Sequence, residues 1–177
     1  MYFDWFLINM ALYLLLQPKI INYYKNMKIL ITAIGKSKKS PATELYAEYA
    51  KRLPWKIALK EFEAKEQNTT ARKSKEGELL LSACAGYECI IALDETGETL
   101  SSKEFAGKLG NWQQSGISSF AFIIGGADGL DATVLKKASL VWSFGRVTWP
   151  HMLVRGMLAE QLYRAQTLIS GHPYHRE

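Results

Sequence analysis

A chain of 177 residues has the length of one ordinary domain with room for a short appendage. Apolar residues make up 48% and charged residues 22%, which excludes a disordered chain and allows a real core. The net charge of +5 favours an anionic partner such as nucleic acid, and the only cysteines, Cys84 and Cys89, lack metal-type C-x-x-C spacing and read as buried free thiols in a reducing cytoplasm.

The chain opens on "MYFDWFLINMALYLLLQPKIINYYKN", residues 1–26, mostly apolar and aromatic. Its run from Trp5 to Leu16 falls short of the roughly 20 residues a spanning helix needs, and no basic flank or cleavage site makes it a secretory signal. Residues 1–26 are therefore expected to be an extension, from an upstream start codon, with a membrane-surface helix as the alternative. Residues 27–177 are expected to form a single domain, with no membrane span.

From Met27 onward, strand and helix patterns alternate. Lys28 to Gly35 is an apolar run covered on both faces, and Ser40-Pro41 supplies a cap and a first helical residue. Leu45, Tyr46, Tyr49 and Leu53 recur behind it at helical spacing. Lys56 to Ala64 alternates as a strand, and Thr70 to Cys84 is helical. Cys89 to Asp94 is a short buried strand that "ETGE" is expected to turn at Gly97. A helix capped by Ser101 reaches about Gln114, followed by the strand "SFAFIIG", a short helix from Asp131 to Lys137 and the strand "SLVWSFG". A long helix starting at Pro150 closes the chain near Ile169. Such alternation predicts an α/β fold, a mainly parallel sheet sandwiched by helices.

In such sheets ligands sit beyond the carboxyl ends of the strands. Three ends carry suggestive residues: Leu93-Asp94, Gly125-Gly126, and Phe144-Gly145 onward. The turn "GGADG" lacks the G-x-G-x-x-G spacing and the following Lys-Ser/Thr of the phosphate-binding loops, and alone it reads as a tight turn. The segment after Phe144 shifts that balance. Gly145 lets the chain bend, and Trp149-Pro150 forces an extended residue before a helix. Main-chain groups left free there suit the edge of an adenine, with Leu93, Val147 and Trp149 against its faces.

"FIIGGADG", "TWPHMLVRGMLAEQLYRAQ" and the terminal "HPYHRE" closely resemble the RlmH family of SPOUT-class methyltransferases, as do "AIGK" and "KEGE" nearer the start. The resemblance covers Met27 to Glu177. It implies a C-terminal trefoil knot, S-adenosylmethionine held in that knot, an obligate homodimer, and methylation of ring nitrogen three of a pseudouridine in large-subunit ribosomal RNA. The family's cofactor contacts fall here on Leu93, Gly125, Phe144, Gly145, Arg146, Val147, Thr148 and Trp149. The glycines are then expected to admit the cofactor's sugar and methionine portion. The chain departs from the commonest family wording at Ala127-Asp128, where Pro-Glu is frequent, and at Gly145-Arg146, which replaces a small polar pair.

Methyl transfer from a sulfonium needs alignment and exclusion of water, and a base for the weakly acidic acceptor proton or a stabiliser of the resulting anion would help. The candidates are His151, Arg155, His175 and Arg176, with Tyr174 as a stacking platform for a base. His151 reads either as that base or as a neutral first-turn histidine bonded locally. Arg155 reads as a ligand for an RNA phosphate or the cofactor carboxylate, or as the partner of a core-edge acid. Glu160 and Arg164 are spaced for an ion pair along the helix. No metal is expected, since His172 and His175 have no supporting cluster. Lys36, Lys38 and Lys39, and Arg72, Lys73 and Lys75, form two basic segments suited to RNA phosphates if they share a face. The competing functions are a nucleotide-binding oxidoreductase, a non-catalytic ribosome- or RNA-binding factor on the same fold, and a methyltransferase acting on transfer RNA.

Overall fold

The computed structural model describes residues 27–171. Residues 1–26 and the tail bearing Tyr174, His175 and Arg176 lie outside the described residues. Five strands, β1 (Lys28–Ile34), β2 (Lys56–Phe62), β3 (Cys89–Thr99), β4 (Ser119–Ile124) and β5 (Leu140–Ser143), form one sheet in the order β2-β1-β4-β3-β5, parallel throughout. Between them run α1 (Pro41–Arg52), α2 (Thr69–Ala83), α3 (Ser102–Gln114) and α4 (Ala132–Lys137), and α5 (His151–Ile169) closes the chain.

The central strands β1 and β4 are apolar on both faces because helices cover both. Alternate residues serve two cores. Ile29, Ile31, Phe120 and Phe122 pack with Phe105 and Leu109 of α3 and Leu158 and Leu162 of α5. Leu30, Ala121 and Ile123 face Leu80 of α2 and Val134 of α4. The edge strand β2 instead alternates between exposed and half-buried residues. Side chains of Ser40, Asn68, Ser101 and Asp131 cap α1 to α4, whereas α5 begins at Pro150 with no side-chain cap. Among the described residues no helix is long and apolar enough to cross a membrane. Both cysteines are buried and free, and burial pushes the Cys84 thiol up to about 11.

One element departs from expectation. "ETGE" does not turn the chain; β3 continues to Thr99, and residues 94–97 bulge between Leu93 and Glu98, both of which register with Trp142 of β5. Gly97 serves close approach rather than reversal: a Cβ there would stand 2.6 Å from the Val141 carbonyl.

At the amino ends of the strands, one Glu88 carboxylate oxygen accepts the main-chain N–H groups of Ser118 and Ser119, each at 3.0 Å, and the Ser119 hydroxyl at 2.7 Å. Those bonds, the Ser118 N–H first, hold its carboxyl below the usual carboxylate range. Its contribution to stability is thus complete above the ordinary carboxylate pKa and lost as pH falls through the lowered one. In urea denaturation Glu88→Gln should be less stable than the parent at pH 7, and the gap should narrow towards pH 3.

Candidate active site

Because every strand points the same way, the loops after β3, β4 and β5 open on one side of the sheet. They enclose a cleft of about 400 Å³ lined by Leu93 to Glu95, Ile124 to Leu130, Trp142 to Gly145 and Val147 to Trp149, and closed by His151 and Val154 of α5. Seven of the eight residues expected at a cofactor meet in it: Leu93, Gly125, Phe144, Gly145, Val147, Thr148 and Trp149. Arg146 is exposed and does not line it.

The β5 wall grows out of the core. Trp142 stacks on Phe105 at 4.0 Å between ring centroids, and Phe144 meets Trp142 edge-on at 4.7 Å. The Ser143 hydroxyl donates to the Gly145 carbonyl at 3.0 Å, and the Trp149 indole N–H donates to the Phe144 carbonyl at 3.3 Å. These bonds curl the segment without using its other main-chain groups. Among the described residues, the N–H groups of Arg146, Val147, Thr148 and Trp149 have no protein partner. The Trp142 indole nitrogen is buried and also unpartnered among them. Val147 and Trp149 are exposed, at 59% and 39%.

The glycine turn does something other than expected. The Cβ positions of Gly125 and Gly126 face protein, the first 3.1 Å from Gly129 and Leu130, the second 3.0 Å from Ile34. The missing side chains let the turn fold onto itself and onto β1, and what it offers the cleft is a flat main-chain wall. Asp128 ties this wall to α2 through Arg72, 2.6 Å away. Behind it lies the buried Glu76, whose carboxyl burial pushes up, with nearby Arg72 opposing.

His151 is half-buried in the first turn of α5, its Nε2 only 3.0 Å from where a Gly35 Cβ would stand. Burial first, and then the Arg155 cation, lower its pKa, so the imidazole is neutral at pH 7. Arg155 is not a free ligand. It is 2% exposed, its Nη2 donates at 2.8 Å to the carbonyls of Ile34 and Gly35, and its Nη1 donates to Ser37 Oγ and the Glu61 carboxylate. The expectation of a phosphate or carboxylate ligand gives way to the ion pair with an acid, because the residue falls on the buried face of α5. Glu61 and Ser37 escaped the sequence reading: "KEFE" reads as part of an alternating strand, and only the fold brings it to Arg155.

Glu160 and Arg164 bond at 2.6 and 2.9 Å as their spacing requires. The two basic segments follow β1 and β2, and so open on the cleft's side of the sheet. There Lys36 pairs with Glu63, Arg72 with Asp128 and Lys75 with Glu78, while Lys38, Lys39 and Lys73 make no ion pair among the described residues. Among those residues no three His, Cys, Asp or Glu side chains converge on a metal position.

Residues 27–175 match the family described as "Predicted SPOUT methyltransferase". The chain is 48% identical over 151 residues to the ribosomal RNA large subunit methyltransferase H of Rhodospirillum centenum, covering 85% of this chain and 99% of that protein. It is 47% identical, with the same coverage, to the protein of that name from Paramagnetospirillum magneticum. In fold it is similar to a solved methylase family protein from Haemophilus influenzae, with a TM-score of 0.54 at 12% identity over 85% of this chain and 71% of that one. A crystal structure from Bordetella pertussis described as a "Probable Methyltransferase" gives a TM-score of 0.52 at 13% identity, over 84% of this chain and 99% of the other. With strand-end loops, cleft and sequence in agreement, the chain belongs to the SPOUT methyltransferases, in the family of the ribosomal RNA large subunit methyltransferase H proteins.

Proposed function

We propose that this protein transfers a methyl group from S-adenosylmethionine to ring nitrogen three of a pseudouridine in large-subunit ribosomal RNA, working in the cytoplasm as a homodimer whose C-terminal segment is threaded as a trefoil knot. The observation that carries this reading is the unspent main chain from Arg146 to Trp149, set along a cleft of apolar and glycine walls. Such a row suits the hydrogen-bonding edge of a neutral base held between apolar faces. The charge of the lining points the same way. Among the described residues the cleft is lined by Asp94, Glu95 and Asp128, the last paired with Arg72, and by neither lysine nor arginine, an environment that favours a sulfonium bearing an ammonium over a pyrophosphate. That counts against a dinucleotide-dependent oxidoreductase.

Bound there, the donor supplies an electrophilic methyl on a sulfonium sulfur. The chain's own work is placement. The walls after β3, β4 and β5 hold the donor and exclude water, and most of the rate comes from that alignment. His151, neutral and at the mouth of the cleft, accepts the proton of the acceptor nitrogen. Lys38, Lys39 and Lys73 bind phosphates around the mouth. Tyr174, His175 and Arg176 stack on and touch the target nucleotide. Exposed Val147 and Trp149, and a second, mainly apolar cleft of about 520 Å³ bordered by Leu45, Tyr49, Leu100 and Met157, support the homodimer.

The deciding experiment incubates ribosomes from a strain lacking the protein with the purified protein and methyl-labelled donor, followed by nucleoside mass analysis. Label in a methylated pseudouridine is the expected result. A protein that binds those ribosomes and transfers no label would be a non-catalytic factor, and label in transfer RNA alone would move the substrate. Deleting residues 174–177 should abolish methylation while leaving donor affinity within about twofold by calorimetry; full activity would remove the tail from the site.

A further inference from the structure

The last helix is fastened to the sheet one turn beyond His151, at Arg155, through a single carboxylate. One oxygen of Glu61 on β2 accepts from Arg155 Nη1, from the Ser37 hydroxyl and, at 3.1 Å, from the Ser37 N–H. Arg155 Nη1 also donates to Ser37 Oγ at 2.8 Å, and its Nη2 holds the carbonyls of Ile34, the last residue of β1, and of Gly35 just after it. Gly35 donates its own N–H at 2.7 Å to the Phe62 carbonyl, next to Glu61. Three elements that are remote in sequence, the end of β1, the end of β2 and the start of α5, thus share one ionic joint. The residue seated against that joint is His151, pressed on Gly35.

We infer that Glu61 is a positioning residue of the methyl-transfer site: by gathering Arg155 and Ser37 it fixes Gly35, and with it the seat of His151. The inference rests on the proposal that His151 accepts the acceptor's proton. Glu61 touches neither donor nor acceptor and acts only through its partners. Its second effect is electrostatic, since it neutralises the cation nearest the imidazole. Among the described residues the other charged groups on this side are Lys36 beside Gly35, already paired with Glu63, and Asp94, Glu95 and Asp128, which line the same cleft, Asp128 being paired with Arg72. Arg155 is the charged group that opposes the imidazolium, so a weakened Glu61 leaves that opposition uncompensated.

The test uses the full-length protein with nitrogen-15-labelled histidine, titrated by NMR. His151→Asn identifies the His151 signal among the three histidines. Glu61→Gln keeps the shape and an acceptor for Ser37 but removes the charge. It should lower the His151 midpoint by about half a pH unit and cut kcat about tenfold, with the donor KM within about twofold. Glu61→Asp restores the charge and should recover most of both. A folded Glu61→Gln protein with an unmoved midpoint would overturn the inference. Should Glu61→Gln fail to fold, Ser37→Ala decides instead: it removes the hydroxyl that Glu61 and Arg155 share, kcat should fall at least about threefold with the donor KM within about twofold, and a parental kcat would overturn the inference. If His151→Asn leaves methylation intact, the role of His151 as base fails instead. The titration still decides whether Glu61 governs that imidazole.

Discussion

Replacing Arg155 with methionine should cost about 3 kcal/mol of folding stability, read as a lower urea midpoint and a Tm lower by roughly 6–12 °C. The size follows from what is stranded. Methionine fills most of the space but donates nothing, so Glu61 loses its cation and the carbonyls of Ile34 and Gly35 lose their donor. Breaking a buried pair at one end costs about 3–5 kcal/mol, and the lower figure applies because the Glu61 side chain keeps 22% of its exposure and can recover some water. Arg155→Lys should fall between, since an ammonium cannot reach two carbonyls and a carboxylate as a planar fork does. The same variants separate stability from site electrostatics. Arg155→Met removes the cation that depresses His151 and should raise its titration midpoint, leaving burial as the remaining cause of depression. Glu61→Gln should lower it. Both variants weaken the same joint, so opposite movements of one imidazole cannot be ascribed to general loosening.

The sheet was legible because its inner strands are apolar runs, its edge strand β2 alternates, and its helices announce their starts. Ser40-Pro41 and Ser101 each place a cap where the hydrophobic period changes, and both caps form, while Asp131, read as the first residue of a short helix, is the cap of that helix. The cleft was legible for a related reason: in a parallel sheet the residues just after a strand are at the ligand's end whatever the strand order. What stayed hidden depended on contacts between distant segments. Gly97 sits in a turn-like sequence, yet its lack of a side chain answers to the β5 main chain, 44 residues or more further on. Arg155 could be read as a free ligand or as the partner of a core-edge acid, because helical spacing gives the face a residue occupies and not what covers that face. Gly125 and Gly126 looked like room for a ligand, and they make room for Gly129 and Ile34.

Gly97 also gives the sharpest test of how the cleft is built. A methyl group there would meet the Val141 carbonyl carbon and oxygen at 2.6 Å and the Trp142 nitrogen at 2.8 Å, all main-chain atoms with no rotamer to escape into. Gly97→Ala therefore requires β5 to retreat by roughly 1 Å, an overpacking cost of about 2–3 kcal/mol. β5 is an edge strand of four residues, and the retreat disturbs its pairing with Glu98 and Thr99 first. Trp142 then shifts on Phe105, Phe144 shifts on Trp142, and the segment to Trp149 moves with them. Donor affinity, measured by calorimetry with the demethylated product, should fall at least about tenfold if, as proposed, that wall holds the donor through main-chain positions, which tolerate little displacement. Gly107→Ala is the control. It lies in α3 with open space around its Cβ position, and should gain up to about 1 kcal/mol of stability with unchanged affinity. A folded Gly97→Ala protein that binds the product as tightly as the parent would mean that the β5 wall does not hold the donor, and the cleft would need a different occupant.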